Sequence, residues 1–139
     1  MNLDIKKAIS LLENHSIVLC YDKKTIISDL NGILPMIDLI NSMTDLENYS
    51  VADKVVGKAA AILFCKAKIK RVHAKIISSS GRDFLISHNI EISYDTLISF
   101  ILNRDKSDIC PMEKEVANIN DIEKGYQILN DKVQMMKNK

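Results

Sequence analysis

The sequence predicts an α/β fold, a sandwich around a mixed sheet of about four strands that begins with an antiparallel hairpin. Short β-branched apolar runs alternate with stretches of helical apolar spacing along the 139 residues. The first two runs are separated only by Asp22, Lys23 and Lys24, a length suited to a hairpin. Hydrophobic residues make up 47% and charged residues 27%, the composition of a chain that folds around a core. The length points to one domain over residues 1–139, with 121–139 a C-terminal helix whose packing the sequence leaves open.

Each element has a local reason. Leu3, Ala8, Ile9, Leu11 and Leu12 follow helical spacing, with Lys6, Lys7 and Glu13 between them, so residues 2–13 predict an amphipathic helix. SIVLCY from Ser16 and TIIS from Thr25 are the hairpin strands. Asn31-Gly32 marks a turn, and Pro35 opens a short helix, PMIDLINS. Residues 50–68, SVADKVVGKAAAILFCKAK, predict a helix capped by Ser50, with Val55, Val56, Ala59, Ala60, Leu63 and Phe64 at helical spacing. Gly57 costs about 1 kcal/mol of helix propensity there, and close approach to the sheet compensates. RVHAKII from Arg71 predicts a strand, residues 79–88 a helix closed by Asn89, and IEISY from Ile90 a further strand. TLISFILN from Thr96 predicts a short helix leading into the loop NRDKSD, and Pro111 starts another helix. Ile122, Tyr126, Leu129, Val133 and Met136 form one stripe on the final helix.

Several classes of function are excluded. Nineteen Lys+Arg balance eighteen Asp+Glu for a formal charge of +1, which gives no support to nucleic-acid or membrane-surface binding. The basic run at residues 66–71, KAKIKR, is placed favourably at a helix C-terminus, and the seven Phe and Tyr residues are too scattered for a base-stacking platform. No apolar stretch matches a secretory signal or a spanning helix. Cys20, Cys65 and Cys110 are dispersed, which reads as reduced thiols in the cytoplasm. His15, His73 and His88 show no metal-ligand spacing and are read as structural.

SVADKVVGKAAAIL at residues 50–63, Asn103-Arg104, and CPME at residues 110–113 resemble the bacterial family known as domain of unknown function 1893. Its fold is similar to that of the cytidine deaminases. The resemblance spans about residues 16–113 and implies a three-layer α/β/α architecture in the order helix, hairpin, helix, strand, helix, strand. Fold resemblance does not transfer chemistry. A zinc deaminase needs a His or Cys ligand beside a glutamate, then two thiolates, to activate a bound water. Matching the helix of residues 50–68 to the first motif yields Val51-Ala52-Asp53, and the start of the next helix yields Ser78-Ser79-Ser80-Gly81. Neither set binds zinc, so no metal, no cofactor and no zinc-dependent deamination are expected.

Lys54 and Lys58 fall one helical turn apart near a predicted helix N-terminus, where cations are disfavoured. Either they form an anion site with the free backbone N–H groups, or they pair with Asp53, Glu47 or another acid. Asp53 is the candidate general base, since the resemblance puts it where a deaminase holds its catalytic carboxylate; capping is its other role. Cys110 precedes the helix opened by Pro111, near Asn103, Arg104 and Lys106, and is either an activated thiol or a packed one. Glu113 either caps its own helix or reaches Lys54 or Lys58. The expected function is a zinc-free domain binding a nucleotide or another small anionic metabolite beside that helix N-terminus. Asp53, Cys110 and Glu113 are the catalytic candidates, and Lys54, Lys58, Asn103 and Arg104 the ligand-binding ones. The alternative is a non-catalytic interaction module whose C-terminal stripe pairs with a copy of itself, as a homo-oligomer, or docks on another protein, unless that stripe covers the domain's own sheet.

Overall fold

The computed structural model describes residues 2–138. The chain opens with α1 (Leu3–Leu11), capped by the Asn2 side chain, which accepts from the backbone N–H of Asp4 at 2.8 Å. A 3₁₀ turn at Leu12–Asn14 leads into β1 (Ile17–Tyr21), joined to β2 (Lys24–Ser28) by the two-residue turn that Tyr21↔Lys24 pairing leaves. Next come α2 (Leu34–Asn41), β3 (Ser50–Val56), α3 (Lys58–Lys66), β4 (Arg71–Ser78), α4 (Ser79–Ser87) and β5 (Glu91–Ile98). The chain closes with α5 (Pro111–Val116) and α6 (Ile122–Lys137).

The sheet has five strands in the order β2-β1-β3-β4-β5, not about four. β1 runs antiparallel to both β2 and β3, and β3, β4 and β5 are parallel. Helices flank it on both faces. Val18, Cys20 and Ala52 pack against Ala8 and Leu12 on the α1 side, while Ile17, Leu19, Val51, Val72 and Ala74 face the larger core built with α2, α3, α4, α5 and α6. This double covering explains why β1 reads as an unbroken apolar run rather than an alternating one.

Two expected helices are strands. The helix of residues 50–68 begins only at Lys58; residues 50–56 form β3, hydrogen-bonded to β1 on one side and β4 on the other. Val51, Val55 and Val56 suit a strand, and Gly57 breaks the run with extended backbone at φ −107°, ψ −171°. Ser50 therefore caps nothing: its hydroxyl is fully buried and makes no hydrogen bond. TLISFILN likewise is no helix. Thr96–Ile98 extend β5 alongside β4, as far as the Ser78↔Ile98 pair, and Leu102 bridges Ile109 beyond it. Edge pairing with β4 won here over the helical spacing of a short apolar run.

The C-terminal stripe packs on its own domain. Leu129 and Val133 are buried, Ile122 and Tyr126 pack on the main core, and Met136 is exposed. α6 approaches α3 closely at Gly125, where an added Cβ would lie 3.0 Å from Ile62. No helix among the described residues is long and apolar enough to cross a membrane.

Candidate functional site

The site is organised by the N-termini of α3 and α4, which follow the parallel strands β3 and β4 and so emerge side by side. Gly57 and Gly81 let them touch: a Cβ on Gly81 would lie 2.9 Å from the Gly57 carbonyl carbon. At α4, the Ser78 hydroxyl accepts from the Gly81 N–H at 3.0 Å. At α3, no local side chain caps the helix. Glu113 does so from α5, its two carboxylate oxygens accepting the N–H groups of Lys58 and Ala59 at 2.8 Å each. A Cβ on Gly57 would stand 2.4 Å from Glu113 Oε1, so glycine at 57 makes room for that carboxylate. Burial raises the Glu113 pKa, against the opposing pull of those N–H groups and the Lys58 charge. The anion position at this helix end is thus held by the protein's own carboxylate.

Lys58 itself points elsewhere. Its side chain leaves the residue only 8% exposed, and Nζ donates to the Ala117 carbonyl and to Asn120 Oδ1, both at 3.1 Å. Among the described residues no carboxylate oxygen lies within the 4.0 Å of an ion pair with Nζ. Burial lowers its pKa, offset by the nearby Glu113 charge. The Phe84 ring, stacked on His88, lies with its centroid 5.9 Å from Nζ. Lys58 opens on a cleft of about 330 Å³ whose other walls are Ser80, Asp83, Phe84, Ser87 and Asn120. A second hollow of about 280 Å³ lies at the far end of α3, but its lysines are paired, Lys66 with Glu123 at 2.6 Å and Lys68 with Glu47 at 3.8 Å.

Of the residues singled out from sequence, Lys58 and Glu113 share one helix end, though through the Lys58 backbone rather than through its ammonium group. Lys54 lies on β3, not one helical turn before Lys58, and its Nζ donates to the Glu13 carbonyl at 3.0 Å. Asp53 is also on β3, not on a helix. It is 9% exposed, flanked by Ile17 and Ala74, and its carboxylate accepts from the Val55 N–H at 3.3 Å, with the Lys54 N–H also favouring the charged form. Burial raises its pKa to about 7. Asn103 organises the turn before Ile109, accepting from the N–H of Ser107 at 3.0 Å; Arg104 is exposed in the same turn. Cys110 occupies the N-cap position of α5 without a side-chain capping bond. None of these five lines the Lys58 cleft.

Phe84, Ser87 and Asn120 carried no signal in the sequence, and Ser80 stood out only within Ser78-Ser79-Ser80-Gly81, because α4 and the α5–α6 connection bring them to Lys58 from distant positions. The histidines are engaged locally: His15 with Asp29, His73 with Ser93 and Asp95, His88 with the Phe84 carbonyl. Burial pushes the Cys65 thiol up to about 12.

No three His, Cys, Asp or Glu side chains among the described residues cluster as a metal site. The motif Val51-Ala52-Asp53 lies within a strand, so the residues that open the helix are Gly57-Lys58-Ala59, which likewise offer no zinc ligand. Ser78-Ser79-Ser80-Gly81 does open α4.

The family model described as a domain of unknown function (DUF1893) matches residues 6–133. The crystal structure of a DUF1893 family protein from Thermotoga maritima is similar at 32% identity and a TM-score of 0.86, covering 95% of this chain and 92% of that one. A diaminohydroxyphosphoribosylaminopyrimidine deaminase/5-amino-6-(5-phosphoribosylamino)uracil reductase from Thermotoga maritima aligns at 14% identity and a TM-score of 0.48, over 66% of this chain and 35% of that one. No curated protein sequence matches the chain.

Proposed function

This chain belongs to the DUF1893 family, and on that footing we propose that it is a zinc-free, deaminase-like domain that binds a small anionic metabolite in the Lys58 cleft. One observation carries the reading. Lys58 is a buried cation with two neutral acceptors and no carboxylate partner among the described residues, at the mouth of a cleft. A buried charge is costly unless paired, so a phosphate or carboxylate entering the cleft completes it. The Ser80 hydroxyl and the Asn120 amide line the cleft as hydrogen-bonding groups for such a ligand, while the Ser87 hydroxyl donates to the Phe84 carbonyl at 2.8 Å. The ligand lies beside the α3 N-terminus rather than on it, because Glu113 holds that position. The deaminase-like assignment goes with the hairpin-first mixed sheet and the two side-by-side helix N-termini. A reducing, cytoplasmic setting goes with the three free cysteines.

The test is a thermal-shift series with inorganic phosphate, a nucleoside monophosphate and a small carboxylate, on wild type, Lys58→Met and Lys54→Ala. A ligand at 100 times its Kd stabilises by about 2.7 kcal/mol. Stabilisation is expected to vanish in Lys58→Met and survive in Lys54→Ala. If it persists in Lys58→Met, the cleft is not the site.

A second reading, self-association, is favoured by the open edge of β5, where Tyr94, Leu97, Phe100 and Leu102 are exposed beside unpaired strand backbone. Sedimentation of wild type against Phe100→Lys tests it: a single monomeric species in wild type ends this reading.

A further inference from the structure

The Lys58 cleft is lined by both signs of charge, and the two do not meet. An ammonium has three N–H groups, and Lys58 Nζ uses two of them on the Ala117 carbonyl and Asn120 Oδ1, at 3.1 Å each. The Phe84 ring, its centroid 5.9 Å away, is too distant to accept the third. Asn120 accepts through its oxygen, which leaves its two amide N–H groups for a ligand beside the ammonium. From α4, Ser80, Asp83, Phe84 and Ser87 line the same cleft, at the i, i+3, i+4, i+7 spacing of one helix face. Asp83 engages Arg82 Nε at 3.1 Å through Oδ1 alone, so Oδ2 is left to the cleft. Its carboxylate lies beyond the 4.0 Å of an ion pair with Nζ. We infer that the cleft takes a dipolar ligand, an α-amino acid, with its carboxylate on Lys58 and the Asn120 amide and its ammonium on Asp83. This inference rests on the reading of the cleft as an anion site and names the ligand class.

The charges select against the alternatives. A phosphate group brings up to about two negative charges, which Asp83 repels. A plain carboxylate satisfies Lys58 but leaves Asp83 unused. An amino acid answers both, and it adds no net charge to a cleft that holds one ammonium and one carboxylate. Phe84 gives its side chain an apolar wall, and the Ser80 hydroxyl, 3.3 Å from Ser78 Oγ, can turn its hydrogen to the ligand when Ser78 donates to it. The two charged contacts are unequal. Lys58 is 8% exposed, whereas the Asp83 side chain is 67% exposed and screened by water. Lys58 therefore governs whether a carboxylate binds, and Asp83 governs which one.

Calorimetric titration at low ionic strength compares L-alanine with L-lactate, and L-leucine with L-2-hydroxy-4-methylpentanoate, pairs in which a hydroxyl replaces the ammonium. Wild type should bind each amino acid about fivefold more tightly than its hydroxy acid. Asp83→Asn should bring each pair to the same affinity, and added salt should shrink the preference. A preference that survives Asp83→Asn overturns the inference. Equal affinities within each pair in wild type, lost in Lys58→Met, leave the anion site standing and end the amino-acid assignment. Binding of none of the four also ends that assignment, and inorganic phosphate on wild type and Lys58→Met then decides the anion site separately.

Discussion

Asp53 makes the stability of this protein depend on pH in a direction opposite to that of a salt-bridged carboxylate. Its carboxyl lies mid-strand between Ile17 and Ala74, and no cation offsets its burial, which raises its pKa from 3.8 to about 7. Because the folded pKa is the higher one, the folded chain holds a proton that the unfolded chain has released. The stabilisation is complete below about pH 4 and is lost as pH rises toward 7. The rise from 3.8 to about 7 amounts to about 4 kcal/mol in all, more than half of which falls between pH 5 and pH 8. In a chain of this size that lowers the melting midpoint by about 10 °C. Asp53→Asn keeps an oxygen for the Val55 N–H and cannot ionise. Urea unfolding of both proteins from pH 5 to pH 8 is the assay. The variant should gain on wild type by about 2–3 kcal/mol across that window. Parallel curves for the two proteins would refute the argument, since every other titrating group is common to both.

Removing the Glu113 carboxylate with Glu113→Ala leaves two α3 N–H groups without a partner and should cost about 1–2 kcal/mol in chemical denaturation. Gly57→Ala drives a methyl into the same carboxylate and should cost about 1–3 kcal/mol. Combined with Glu113→Ala it should cost less than the sum, and additive losses would show that the two residues do not share the space. Ser50→Ala discards a buried hydroxyl that has no hydrogen-bond partner, so stability should hold or rise; a clear loss would reveal a partner for that hydroxyl. Leu129→Ala should cost about 2–5 kcal/mol as a monomer property independent of protein concentration, because Leu129 lies in the core and not at a surface between copies.

The local grammar of the chain was legible. The helix α1, the hairpin, Pro35 and Pro111 in the first turns of their helices, the positive φ of 62° at Asn89 and the stripe of α6 all follow from residue type and spacing within a few positions. Of the candidate site, Lys58 and Glu113 could be picked out as a cation at a helix start and a carboxylate in a short helix. Their true relation could not, because the 55 positions that separate them are closed only by the packing of α5 against α3. The misreading of residues 50–56 has the same origin. VADKVV adjoins a helix whose apolar positions continue its spacing, and that continuity masks the strand signal of Val51, Val55 and Val56 and the break at Gly57. The decision came from β1 and β4, whose backbone groups claim those of β3 on both sides. Hydrogen bonds between distant segments also decided which face Asp53 occupies, and therefore that it is a buried acid rather than a cap. Sequence determined where the chain turns, caps and buries apolar surface, since those depend on neighbours a few residues away. Tertiary structure alone decided which carboxylate meets which N–H and which cation is left in a cleft, because desolvation and pairing depend on groups the chain brings together only when folded.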